Sequence, residues 1–123
     1  MVAIPIQRGD IVLVDLQGAL GGEKKNDGAI NARPCIVVQN DMGNKVSPLT
    51  IVAPLTDVKQ FKGFPVQVQV SAAELGAQKD SVVECGHLRT IDRDQRIQKH
   101  LGTLAPAAMA RVDVALKASL GLK

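Results

Sequence analysis

A chain of 123 residues that is 46% hydrophobic is sized for one compact core, and residues 1–123 read as a single domain. Aromatic residues make up 2% of it, two Phe with no Trp or Tyr, so the core is aliphatic and a run of aromatic platforms for stacking bases is excluded. The formal charge of +3 permits a polyanionic partner without requiring one.

The opening MVAIPIQRGD lacks the apolar stretch of a signal peptide, and no apolar run approaches the roughly 20 residues of a membrane span. A soluble cytoplasmic protein with no membrane partner is expected. Cys35 and Cys85 sit in or beside apolar runs with no metal-like spacing between them, which reads as two buried free thiols in a reducing compartment.

In chain order, Ile11 to Leu16 is an almost unbroken apolar run and predicts a first strand buried on both faces. Gln17 to Asn31 follows, with glycines at 18, 21, 22 and 28 and a charged centre at Glu23-Lys24-Lys25. A loop of that length is either a lid over a site or plain hairpin slack. Next come two apolar strands, Cys35–Val38 and Leu49–Leu55, joined by the polar turn Asn40-Asp41-Met42-Gly43-Asn44. Asp57 to Pro65 reads as a second polar loop carrying Phe61 and Phe64, and Val66–Val70 alternates strictly, as a strand with one wet face does. Ser71-Ala72-Ala73-Glu74 has capping-box spacing with Gly76 as a stop, so one helical turn is expected there. Asp80–Cys85 predicts a strand that Gly86–Ile91 continues or bends away from. Asp92 with Gln95 predicts a short helix near Arg93–His100, and Gly102–Leu104 a last short strand. Pro106 opens a C-terminal helix whose apolar positions Met109, Val112, Leu116 and Leu120 recur at three- and four-residue steps before Gly121.

The chemistry converges on the strand pair. Arg33 stands just before the first of the two strands and Thr56 just after the second. In an antiparallel pair those two ends meet. A guanidinium grips a phosphate with two parallel hydrogen bonds, and a threonine hydroxyl donates one more. Donors so placed fit the charge that grows on a phosphoryl group under attack by a neighbouring 2′-hydroxyl. His87 is the group whose ordinary titration suits proton transfer near neutrality, since arginine does not readily give up its proton. Read one at a time, Arg33 is equally a solvated strand end, Thr56 a cap on the Asp57 turn, and His87 a structural histidine. Arg89, Arg93, Arg96 and Lys99 interleave with Asp92 and Asp94 as an exposed ion-paired face does. No P-loop, dinucleotide fingerprint, HExxH or zinc-like cluster occurs, so neither a metal nor another cofactor is expected.

Taken together, RGDIVLVDL, a Gly–Glu loop, RPCIVVQND, SPLTIVAPLT, KDSVVEC and LRTID in this order resemble the MazF/PemK family of toxins from toxin–antitoxin pairs. The resemblance spans nearly the whole chain from Arg8. It implies a mainly β (α+β) fold, an SH3-like, CcdB-type, strongly twisted antiparallel barrel with short helices and a C-terminal α-helix, acting as a homodimer. It implies a metal-independent endoribonuclease that cuts single-stranded RNA at short sequences, leaving 2′,3′-cyclic phosphate and 5′-hydroxyl ends, with Arg33 and Thr56 as the catalytic pair. A cognate antitoxin segment would cover the RNA site. RNA contacts are expected from Arg8, from the loop residues Gly22, Glu23 and Lys24, and from Phe64, Gly86 and Arg89. Similar toxins commonly carry an acid followed by Gln before the LRTID-like segment. Here Gly86-His87 stands there, which assigns His87 a part in RNA binding or acid–base chemistry. Two other functions share the fold: a non-nuclease gyrase poison like CcdB, and an inactive relative that only binds.

Overall fold

The computed structural model describes residues 4–16 and 32–123. The Gln17–Asn31 loop, with its expected contacts at Gly22, Glu23 and Lys24, lies outside the described residues. Among those described, seven strands form an antiparallel assembly, with three short helices on the connections and one long helix at the end. The strands are β1 (Asp10–Asp15), β2 (Ala32–Val37), β3 (Leu49–Asp57), β4 (Gln67–Val70), β5 (Ser81–Glu84), β6 (Arg89–Asp92) and β7 (Ile97–Thr103). The helices are α1 (Asp41–Val46), α2 (Ala72–Leu75), α3 (Arg93–Arg96) and α4 (Pro106–Leu120).

The path through the sheet runs β4-β5-β3-β2-β1-β7, with β6 also on β3. Strand β3 is the shared member. Along one edge it pairs with β2, Cys35 opposite Pro54 and Val37 opposite Val52. Along the other it pairs first with β6, from Leu49–Asp92 to Val52–Arg89, and then with β5, from Leu55–Val83 to Asp57–Ser81. The chain between β5 and β6 turns at residues 85–87, so that two short strands serve one long one.

Both faces of the central strands are buried. Ile11, Ile36, Ala53, Leu55, Val68 and Val83 point to one face and pack against Ala108, Val112 and Ala115 of α4. Val12, Val14, Cys35, Val37, Val52, Ile91 and Ile97 point to the other. This is why β1 and β2 read as unbroken apolar runs: neighbouring residues face opposite ways, and both sides exclude water.

Local signals explain the connections. The capping box forms at α2, with the Ser71 hydroxyl accepting from the Glu74 N–H and the Glu74 carboxylate accepting from the Ser71 N–H, and Gly76 ends the turn at φ 65°. The stretch read as a polar turn is helix α1, because Asn40 caps it by accepting from the Gly43 N–H. Its Asn44 is buried, accepting from Thr50 Oγ1 at 2.7 Å and from Gln39 Nε2 at 3.1 Å. The helix expected over Arg93–His100 stops at Arg96. Ile97 to Thr103 instead forms β7, paired with β1 through two register shifts. Tertiary pairing of an apolar edge prevailed over a weak cap. Arg93 is part of no solvated face either: its guanidinium donates to the Asn44 carbonyl and, at 2.9 Å, to the Ile4 carbonyl. On α4 the stripe is rotated from the one expected. Ala108, Val112 and Ala115 are buried, Met109 and Leu116 are half-buried, and Leu120 is exposed. Small alanines let the helix backbone lie close on the sheet.

Arg111 of α4 reaches both Glu74 oxygens, at 2.9 and 3.0 Å, and the Gln69 carbonyl at 3.2 Å, tying α4 to α2 and β4. The Arg111 guanidinium, and then the Ser71 N–H, hold the Glu74 carboxyl down at about 2. A depressed carboxyl contributes stability that is full above its ordinary value of 4.5 and is lost as pH falls toward 2. The melting temperature of the wild-type protein should therefore exceed that of Glu74→Gln at pH 6, and the gap should shrink below pH 4.5. A gap of the same size at every pH would contradict the tie.

Candidate active site

Alternation decides which residues meet. Arg33 lies two positions before Cys35 and shares its face, the face of the second apolar cluster. Thr56 lies two positions beyond Pro54 on the same face of β3. The β2–β3 pairing ends at Cys35–Pro54, and Arg33 and Thr56 each stand two positions beyond that last pair, on the same face of their strands. On the other side of β3, Thr56 pairs with Val82 of β5, and Glu84 follows on that face. Gln67 of β4 pairs with Glu84, and Arg89 of β6 with Val52. Five polar side chains from five strands thus occupy the margin where this apolar face ends.

Hydrogen bonds join them. Glu84 is buried at 6% exposure, although its chain neighbours Val83 and Cys85 belong to the apolar core. Its Oε2 accepts from Thr56 Oγ1 at 3.1 Å and from Gln67 Nε2 at 3.1 Å. The Gln67 amide also donates to the Gln60 carbonyl at 2.9 Å and accepts from the Lys62 N–H at 2.8 Å. One side chain therefore anchors the base of the Phe61–Pro65 loop to the carboxylate. Phe64 is exposed on that loop, and its carbonyl accepts from the Gln67 N–H at 2.9 Å.

Thr56 does not cap the following turn. Asp57 does that itself, accepting from the Lys59 N–H. In this structure the Thr56 hydroxyl donates to Glu84.

The arginines are arranged around Cys35. Burial pushes this thiol up to about 12, and the charges of Arg89 and then Arg33 oppose the rise, so both guanidiniums act on the same spot. Arg89 also donates to the Leu16 carbonyl at 3.4 Å. Cys85 is likewise pushed up to about 12 by burial, with the negative charges of Glu84 and Asp113 adding to it. Among the described residues no group of three His, Cys, Asp or Glu is placed to hold a metal ion.

The remaining expected residues divide. His87 is exposed in the turn after β5, its N–H donating to the Glu84 carbonyl at 3.1 Å. Gly86 is in the same turn, and a side chain there would meet Val66 Cγ2 at 3.1 Å. Arg8 stands at the other end of the β1–β2 ladder. It donates to the Val38 carbonyl at 2.9 Å and pairs with Asp113 of α4 at 2.7 Å, so it ties the helix to the sheet away from Arg33. Glu84 and Gln67 were not singled out from sequence. The signal for both was parity: each stands on the face opposite its apolar neighbours, in register with Thr56.

A profile described as "PemK-like, MazF-like toxin of type II toxin-antitoxin system" matches residues 7–120. The chain belongs to the PemK/MazF toxin family. The chain is 39% identical to the Endoribonuclease MazF of Staphylococcus epidermidis over 95% of its length and 92% of the relative's. It is 38% identical to Endoribonuclease EndoA of Bacillus subtilis, over 95% and 96%. Among solved structures, an endoribonuclease from a mycobacterial species superposes with a TM-score of 0.75 at 21% identity, covering 99% of this chain and 97% of that one. MazF of Deinococcus radiodurans superposes at 0.72 with 26% identity, over 97% and 99%. The PemK/MazF fold is thus reproduced over nearly the whole chain. No described helix is long and apolar enough to cross a membrane.

Both thiols of this PemK/MazF chain should be inert despite their nearness to the site. In native protein at pH 8, a thiol reagent should label neither Cys35 nor Cys85, and two thiols should react on unfolding. Fast labelling of the folded protein would contradict the packing around Cys35.

Proposed function

We propose that this chain is an endoribonuclease toxin of a toxin–antitoxin pair, cutting single-stranded RNA at Arg33 and Thr56. The observation that carries the reading is the β2–β3 register, which ends two positions short of both Arg33 and Thr56 on one face, with Thr56 bonded to a buried carboxylate. The relatives named endoribonucleases, at 39% and 38% identity, support the activity.

In this reading Arg33 grips the scissile phosphate with its planar fork and offsets the charge that builds as the 2′-oxygen attacks. Arg89 adds positive charge on the same face. Thr56 faces the ribose. The P–O5′ bond breaks, leaving a 2′,3′-cyclic phosphate, and His87 supplies the proton taken by the departing 5′-oxygen. The scheme uses no metal ion. Phe64, exposed at the end of the Gln67-anchored loop, offers a ring on which one base stacks, and Gly86 contributes backbone contacts. The chain acts as a cytoplasmic homodimer, and an antitoxin segment covers the RNA site. Solved relatives from a mycobacterial species and from Deinococcus radiodurans, described as complexes with a cognate antitoxin or with MazE, support that partner.

Incubating the purified protein with a long RNA in EDTA tests the reading. Discrete fragments with 5′-hydroxyl ends are expected, and intact RNA would overturn it. Trapped DNA–gyrase adducts in place of RNA fragments would point to the gyrase-poison function. Arg33→Lys should cut about 10²-fold more slowly, because an ammonium keeps the charge and loses the fork. Near-normal cleavage by that variant would contradict a two-pronged grip. His87→Ala should slow cleavage or change its sequence preference, and unchanged rate and preference would remove His87 from the scheme.

A further inference from the structure

Glu84 has no place in the scheme above, yet it is the buried acid nearest the reacting groups. An ionised carboxylate only accepts hydrogen bonds, and a threonine hydroxyl carries a single hydrogen. The 3.1 Å contact from Thr56 Oγ1 to Glu84 Oε2 therefore directs that hydrogen inward. The lone pairs of Oγ1 are left facing outward, toward the face shared with Arg33. A hydroxyl so oriented is an acceptor for an incoming 2′-OH, not a donor to the phosphate. The second donor, Gln67 Nε2 at 3.1 Å, fixes the carboxylate from the β4 side. Glu84 is 6% exposed, and both contacts are partly buried, which weakens the competition from water.

We infer that Glu84 is the positioning carboxylate of this site, which receives through the Thr56 hydroxyl the proton shed by the attacking 2′-oxygen. The inference rests on Arg33–Thr56 being the place of cleavage. The 2′-OH hydrogen passes to Thr56 Oγ1 as the Thr56 hydrogen passes to Glu84 Oε2. The 2′-oxygen's electron pair forms the new bond to phosphorus. The P–O5′ pair leaves on the 5′-oxygen, which takes its proton from His87. The carboxylic acid and the imidazole then return to their starting forms by exchange with water.

The test uses a short RNA spanning a cut site mapped with the wild-type protein. Glu84→Gln keeps the size and the buried position and removes the proton acceptor. It should lower kcat by about 10²–10³-fold with KM held within about threefold. Thr56→Ala should lose as much, and the double variant should be no slower than Thr56→Ala alone, because the two act as one unit. If Glu84→Gln lacks the wild-type melting transition, Glu84→Asp decides. Its shortened carboxylate falls away from Thr56 and should cost at least about tenfold in kcat with KM unchanged. A Glu84→Gln enzyme with wild-type kcat, one changed in KM alone, losses that multiply in the double variant, or Glu84→Asp at wild-type kcat would each overturn the role of Glu84. Wild-type protein that leaves RNA intact would instead overturn the cleavage reading itself.

Discussion

Strand β3 has to satisfy the backbone groups of nine residues while changing partners partway along one edge. Its first half borrows β6, its last three residues borrow β5, and the opposite edge holds β2. Every polar residue assigned to the site is placed by this arrangement. Where β2 leaves β3, the last residues of each are released from apolar packing without being released from their shared face. Arg33 and Thr56 are those residues. Because β5 takes over the other edge at that point, Glu84 arrives beside Thr56 rather than a strand away.

The electrostatics follow from the placement. A carboxylate in the interior is costly unless donors surround it, and Thr56 and Gln67 are those donors. Gln67 in turn is held by the Gln60 carbonyl and the Lys62 N–H, so the carboxylate, the hydroxyl and the base of the Phe64 loop form one connected unit. The arginines on the same face act on the Cys35 thiol, which burial keeps neutral. The thiol between the apolar core and these arginines is thereby uncharged. Arg8 and Arg93, which look similar in sequence, are used differently: Arg8 ties α4 to the sheet, and Arg93 ties α1 and the N-terminal segment.

Much of this was legible in the chain itself. The continuous runs of β1 and β2, the strict alternation before Val70, the Ser71–Glu74 capping box and the Pro106–Gly121 helix all carry their local cause in their residues. The antiparallel pairing of β2 with β3, which brings the entry of one to the exit of the other, was legible too. What escaped depended on distant partners. Ile97–His100 joined β1 as a strand because an open edge was there to pair with. Asn40–Val46 closed into a helix through a single side-chain cap. Glu84 was hidden because an acid inside an apolar run looks like an interruption. Only the β3–β5 register shows that it faces Thr56. Two residues further on, at Gly86, a side chain would press against Val66.

The central claim is that one face of the β2–β3 junction holds the scissile phosphate and the adjoining ribose together. A crystal structure with an RNA carrying a single 2′-deoxy nucleotide at the cut position tests it most directly. The account predicts the phosphate on the Arg33 guanidinium and the deoxyribose C2′ facing Thr56 Oγ1, with Glu84 still accepting the Thr56 hydrogen. A scissile phosphate bound elsewhere, with Arg33 and Thr56 both facing solvent, would contradict it.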